Sequence, residues 1–174
     1  MAIITLDAGH GGKDAGAVNG KQREKDYALA IAKKVETKLK DAGHIVIMTR
    51  DKDEYLTLQQ RCKLAQGNVF VSIHLNSAVN KDANGIETFH YVNGSVISKK
   101  LAENIQFALT DRLPQEKDRG VKTASYYVLK YTPMPAALVE VGFLSHQPTA
   151  DKFNSYWYQD QIATAIADGI IKTV

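Results

Sequence analysis

Short β-branched runs alternate with stretches of helical apolar spacing along this chain, and that alternation limits its fold more than any other feature. The clearest run is Val-Phe-Val-Ser-Ile-His at 69–74, the composition of a buried strand. Residues 2–7, 44–49, 86–92, 125–130 and 136–140 read as five more strands. Between them, Ala28, Ile31, Val35 and Leu39 recur at helical spacing from about Asp26 to Ala42, and Gly43 is a helix stop. Residues 57–66 read as a short helix. Ile97, Leu101, Ile105 and Leu109 share a face from about Ser95 to Leu113, where Pro114 ends the helix. Ile162, Ile166 and Ile170 mark a last helix from about Tyr156 to Lys172. Strands alternating with helices predict an α/β fold, a mostly parallel six-stranded sheet with helices on both faces. With 174 residues and no repeat or linker, the expected organisation is a single domain over 1–174.

Composition removes several function classes. Hydrophobic residues are 44% and charged residues 24%, ordinary globular values that exclude disorder, collagen and coiled coil. One cysteine, Cys62, excludes an internal disulfide or a thiolate metal cluster, and it reads as a buried mid-helix residue rather than a nucleophile. No apolar run reaches the ~18 residues of a membrane span, and Met1-Ala2-Ile3-Ile4 opens without the basic flank and apolar core of a signal peptide. The net charge of +3 is carried by scattered Lys and Arg with no interleaved aromatics, so neither nucleic acid nor membrane is an expected partner.

Open α/β sheets carry their sites at the carboxyl ends of the strands, which turns the strand reading into a search. His10 follows the first strand, His74 ends the 69–74 run, and Glu140 closes the run Ala136-Ala137-Leu138-Val139. Glu24 lies between the first strand and the helix beginning near Asp26, in a crossover that starts on the same edge. Taken singly, each has a bland account: a loop histidine, a satisfied core histidine, a solvated helix start. Glu140 is the least bland, because a carboxylate among Leu138, Val139, Val141 and Phe143 is costly unless paired, ligated or functional. Together, two His and two Glu on one sheet edge form a zinc-type constellation. Asp7 points to the same edge and is the main rival ligand, better suited to a supporting role. His44 begins its strand and belongs at the opposite edge, His90 is inside a strand, and His146 is near enough in sequence to approach the site. The Gly-rich turn fails as a phosphate cradle, since Asp7 and Asp14 stand where both phosphate-loop patterns need Gly, Ser or Thr.

The motifs Asp7-Ala8-Gly9-His10-Gly11-Gly12, Ser72-Ile73-His74-Leu75-Asn76-Ser77 and Pro135 through Glu140 to Ser145 strongly resemble the zinc-dependent N-acetylmuramoyl-L-alanine amidases of the type 3 family. Thr49-Arg50, Leu58-Gln59-Gln60-Arg61 and the stretch from Arg119-Gly120-Val121 to Val128-Leu129 match in order, so the resemblance runs from Ile3 to the last helix. It implies a single zinc ion held by His10, Glu24 and His74, with Glu140 as acid/base, and cleavage of the amide between N-acetylmuramic acid and the L-alanine of the stem peptide in peptidoglycan. Asn76 and Arg119 are implied groove residues. The family commonly has Pro at the position of Ala8 and Asn at that of His146. The short loop Ser77–Asn84 lacks the inhibitory insertion of cell-division relatives, so activity without an activator protein is expected, of endolysin or autolysin type; a monomer is the expected state. Such an enzyme is made in the cytoplasm and released onto the wall, or is the excised catalytic domain of a secreted protein. Two other readings remain at this stage: a zinc peptidase cutting within the stem peptide, and a wall-binding module without catalysis.

Overall fold

In the computed structural model, which describes residues 1–174, the apolar runs become the strands of one sheet. The elements in chain order are β1 (Ile3–Ala8), β2 (Val18–Asn19), β3 (Gln22–Arg23), α1 (Glu24–Asp41), β4 (Ile45–Met48), α2 (Leu58–Leu64) and β5 (Val69–Asn76). They continue with β6 (Ile86–Tyr91), α3 (Val96–Arg112), β7 (Asp118–Ala124), α4 (Tyr127–Tyr131), β8 (Ala136–Phe143), α5 (Gln147–Lys152) and α6 (Tyr156–Ile171). The six-stranded sheet has the order β4-β1-β5-β8-β6-β7, and β2 with β3 forms a separate hairpin. β4, β1, β5 and β8 run parallel. β6 turns antiparallel to β8, and β7 runs parallel to β6. The expected α/β domain, mostly parallel and covered on both faces, is what forms.

The two faces are covered unequally. Val69, Val71, Ile73 and Leu75 of β5 and Ala137, Val139 and Val141 of β8 enter a core of 31 buried residues completed by α1, α3 and α6. Alternation turns Phe70, Ala136 and Leu138 the other way, into a cluster of 7 with Phe89, Val128, Leu129 and Ala65, under α2 and α4. The same alternation puts Asp7, Ser72, His74 and Glu140 on this thinner side. The reversal of β6 matters for chemistry. Its second residue, Glu87, pairs in register with Glu140, so the start of β6 joins the edge where the parallel strands end.

Three sequence expectations need correction. Residues 125–130 are not a strand; Tyr127–Tyr131 is a short helix that buries Val128 and Leu129 against the thin face. The sixth strand is Asp118–Ala124 instead, an edge strand whose polar sequence carries no apolar run. Apolar runs this short do not distinguish helix from strand by periodicity. The first helix begins at Glu24, not near Asp26, so Glu24 stands in its first turn. β8 continues past Glu140 to Phe143 and β5 past His74 to Asn76, with an irregular register between His74 and Asn76. Cys62 is where expected, in the short helix α2, and it is only partly buried.

Candidate active site

The turn after β1 carries His10 in a left-handed conformation, φ 59°, unusual for a residue with a side chain. Two buried guanidinium groups hold it. Arg50 donates to the carbonyls of Ala8 (2.9 Å) and Gly9 (2.8 Å), and Arg61 donates to those of Ala8 (2.7 Å) and His10 (2.6 Å). Glu24 opens α1 and is 4% exposed. Its Oε2 accepts the Ala17 N–H (2.8 Å), and its Oε1 accepts the Leu75 N–H (3.0 Å). Two glycines leave room for these groups. A Cβ on Gly9 would lie 2.4 Å from the His74 ring, and one on Gly16 would lie 2.5 Å from Glu24 Oε2.

His10, Glu24 and His74 thus converge, each offering one donor atom, all within 4.8 Å of one another. His10 Nε2 is 3.0 Å and His74 Nδ1 2.9 Å from the same Glu24 Oε1. The outer nitrogens fix the protons. Asp14 Oδ2, a carboxylate oxygen that can only accept, faces His10 Nδ1 at 2.8 Å. Ser72 spends its hydroxyl proton on Asp7 (2.7 Å) and so accepts from His74 Nε2 (3.1 Å). Neutral rings arranged this way turn both remaining lone pairs inward, onto a carboxylate oxygen. Three electron-rich atoms so placed need a positive charge among them, either protons or a metal ion. Burial opposes protonation of His10, yet the hydrogen bond and charge of Glu24, then of Asp14, push its pKa up to about 9. Burial likewise disfavours the Glu24 carboxylate, but its contacts with His10 and His74 hold it far below the usual range. Two imidazoles and one carboxylate are a donor set that suits zinc and leaves a fourth position open.

Glu140 stands beside this cluster, its Cα in register with that of His74. Its Oε2 is sealed from solvent and has no hydrogen-bond partner in the protein. Burial raises its pKa, and despite the opposing charge of His74 it reaches about 7. A cleft of about 310 Å³ opens over His10, His74 and Glu140. Tyr55, Leu58, Tyr126 and Tyr127 contribute its apolar side.

Asp7 is placed behind the cluster rather than in it. It is fully buried, and both its oxygens are taken: Oδ1 by Thr49 (2.6 Å) and Arg61 (2.8 Å), Oδ2 by Ser72. Burial alone would raise its pKa; Arg61, Thr49 and Ser72 outweigh that and lower it. Asn76 and Arg119 meet elsewhere, on Glu87. Asn76 Nδ2 donates to Glu87 Oε1 (2.7 Å), Arg119 Nε to Oε2 (2.9 Å), and Lys122 Nζ also binds Oε2. His44 is at the opposite edge, accepting from the Ala2 N–H, and His90 bonds its own strand. His146 caps α5 and pairs with Thr149, outside the cleft. The sequence reading missed Asp14, Arg61, Ser72, Glu87 and Lys122. Glu87 carried the signal that exposed Glu140, a carboxylate inside a strand run.

Comparison with known proteins fits this geometry. The family described as N-acetylmuramoyl-L-alanine amidase matches residues 4–172. The chain belongs to that family. Its relatives include the amidase LytC of Bacillus subtilis strain 168, 41% identical over 97% of this chain and 34% of LytC. Among solved structures, amidase AmiC2 of Nostoc punctiforme superposes with a TM-score of 0.92, at 39% identity, over 98% of this chain and 95% of that one. The amidase CwlD of Clostridioides difficile, solved in complex with the GerS lipoprotein, superposes with a TM-score of 0.94 at 34% identity, over 99% and 98%. Amidase-family membership makes the three-residue cluster a place where a metal can bind.

Proposed function

We propose that this chain hydrolyses the amide between N-acetylmuramic acid and the L-alanine of the peptidoglycan stem peptide, with one zinc ion held by His10, Glu24 and His74. The observation that carries the reading is that His10 Nε2 and His74 Nδ1 both face one oxygen of Glu24, at 3.0 Å and 2.9 Å, beside a sealed and unpartnered Glu140 oxygen. Bound zinc supplies Lewis-acid polarisation of the scissile carbonyl and an activated water. Glu140 is the acid/base. The Glu140 carboxylate, its Oε2 sealed and unpartnered, accepts the proton of the attacking water, then delivers it to the departing L-alanine nitrogen. Asp14 and Ser72 keep the two ring protons on the outer nitrogens, so both rings stay oriented toward the ion. Arg50 and Arg61 hold the strained His10 turn in place.

Residues 1–174 act as one catalytic unit, and the substrate is wall peptidoglycan. No helix is long and apolar enough to cross a membrane. The segment between β5 and β6, Ser77–Gly85, is a short loop with nothing long enough to lie across the cleft. On that ground we infer activity without an activator, although the related CwlD is solved bound to a lipoprotein. Dye release from purified sacculi, with and without chelator, tests the reading together with metal analysis of the same preparation. Zinc at one equivalent and chelator-sensitive release are expected. Freed L-alanine amino termini with intact glycan separate an amidase from a peptidase cutting inside the stem. Protein that lacks zinc and releases no dye overturns the reading.

A further inference from the structure

The surfaces on the two sides of the cleft are unlike. On the α2 and α4 side, Tyr55, Tyr126 and Tyr127 are exposed and carry no charge, with Tyr126 packed edge-on against Phe89 at 5.3 Å. On the opposite side, past Glu140 and beyond the residues that line the cleft, lies the Glu87 group, joined to it through the Glu87–Glu140 register pair. Glu87 is 4% exposed and holds two cations, Arg119 and Lys122, so this group keeps a surplus of one positive charge. The two cations are not equivalent. Arg119 is tied down: its Nε binds Glu87, its Nη1 the Asn84 carbonyl, and its guanidinium lies 4.9 Å over the Phe143 ring. Lys122 spends one of three donors on Glu87, and its side chain remains 41% exposed. Edge strands often carry lysines that guard the open edge. Lys122 departs from that pattern, because it is the register partner of Phe89 and turns its ammonium inward to Glu87, the register partner of Glu140.

We propose that Lys122, steadied by Glu87, recognises a carboxylate on the stem peptide two to three residues past the scissile nitrogen. The peptide then crosses β6 and β7, while the glycan lies on the tyrosine wall. The span comes from strand geometry. β7 is two strand spacings from β8, ~10 Å, and an extended peptide advances ~3.3–3.6 Å per residue. A peptide leaving Glu140 in this direction brings its second or third residue over Lys122. Peptides carry carboxylates and the glycan backbone does not, so a cation on one side of the cleft also sets the direction of binding.

This proposal rests on the amidase reading, and its test separates the two. Soluble muramyl peptides are prepared with a free carboxylate, or with a carboxamide, on the second and third stem residues. In the unmodified enzyme the carboxamide should raise KM by roughly 10–100-fold, the scale of one charge-assisted hydrogen bond, with little change in kcat. In Lys122→Met that ratio should collapse to about one, and Lys122→Arg should restore most of it. The same peptide pair titrated calorimetrically into Glu140→Gln reads binding without turnover. If Lys122→Met preserves the carboxylate preference, or lowers kcat equally on both peptides, the carboxylate assignment is overturned. If the unmodified enzyme cleaves neither peptide while Glu140→Gln still binds the carboxylate form in a Lys122-dependent way, the amidase reading fails and the recognition stands.

Discussion

The two faces of the sheet take the same strand alternation to different ends. Under α1, α3 and α6, alternate residues of β1, β5 and β8 are Ile4, Leu6, Ile73, Val139 and their like, all closed from solvent and held by area alone. On the other face the same strands present Asp7, Ser72, His74 and Glu140, where 7 apolar residues stand against 31. Here Asp7, Ser72 and His74 are each fixed by another polar group, and Glu140 alone stands unpartnered. Arg61 holds Asp7, Asp7 holds Ser72, and Ser72 orients His74. A packed face tolerates local loss because neighbours partly relax. A hydrogen-bonded chain transmits the loss of any link to the residue at its end.

The largest effect expected is on chemistry, with no effect on metal. Glu140→Gln should retain zinc, because His10, Glu24 and His74 are untouched and the side-chain volume is nearly constant. Sacculus hydrolysis should fall ~10²–10⁴-fold, the usual range for general acid–base catalysis. Zinc loss in this variant would move Glu140 into the ligand set, and near-normal turnover would remove it from the mechanism.

Next come two substitutions of similar stability cost on opposite faces. Ile166→Ala, in the thick core, should cost ~2–5 kcal/mol by denaturant unfolding and leave the activity of the folded fraction intact. Asp7→Asn should cost ~3–5 kcal/mol, because Arg61 loses its buried partner. It should also weaken zinc retention, since Ser72 and His74 lose their anchor. Equal zinc retention in the two variants would sink the contrast between packed and hydrogen-bonded support.

How much of this was legible follows from the same contrast. The thick face announces itself, because Ala28, Ile31, Val35 and Leu39 or Val69, Val71 and Ile73 repeat with a fixed period. His10, Glu24, His74 and Glu140 were traceable because strand ends collect sites in such sheets, and their family motifs agree. Strand β7 was not legible: it is an edge strand, pairs on one side only, and is written Asp-Arg-Gly-Val-Lys-Thr-Ala. Nor were Asp14 and Arg61. Their roles depend on which nitrogen of a distant ring and which carbonyls of a strained turn they meet, and no periodicity encodes that. Glu87 was hidden by topology. Only the reversal of β6 brings its first turn of chain to the site edge.

A smaller effect concerns Glu140 itself, in protein stripped of metal. Its folded pKa of about 7 lies above the ordinary 4.5. The folded state therefore holds the proton more tightly than the unfolded chain does. Its contribution is fully favourable below about pH 4.5 and is lost as pH rises through 7. Glu140→Gln escapes that loss. At pH 8 the metal-free variant should be more stable than the parent by ~1–3 kcal/mol, a rise of several degrees in melting temperature, and at pH 4 the two should melt together. A gain of equal size at both pH values would assign the effect to packing.

The smallest expected effect is a matched pair of helix caps. Thr57 caps α2 through a reciprocal pair of bonds with Gln60, 3.1 Å and 2.8 Å. Ser155 caps α6 by accepting from the Tyr158 N–H at 3.3 Å. Removing either hydroxyl should cost ~1 kcal/mol of stability. The consequences for the site should differ. α2 is seven residues long and buries one side chain, Arg61, which grips both Asp7 and the His10 turn. Fraying its first turn loosens that grip, so Thr57→Ala should release zinc to a chelator a few-fold faster. α6 packs on α1 and α3 through Ile162, Ile166 and Ile170, far from any ligand, and Ser155→Ala should release zinc at the parent rate. Stopped-flow zinc release in the presence of a fluorescent chelator measures both. Identical rates would mean that the thin face is held as firmly by its apolar cluster as by its hydrogen bonds, and the distinction between the two faces would then be one of chemistry alone.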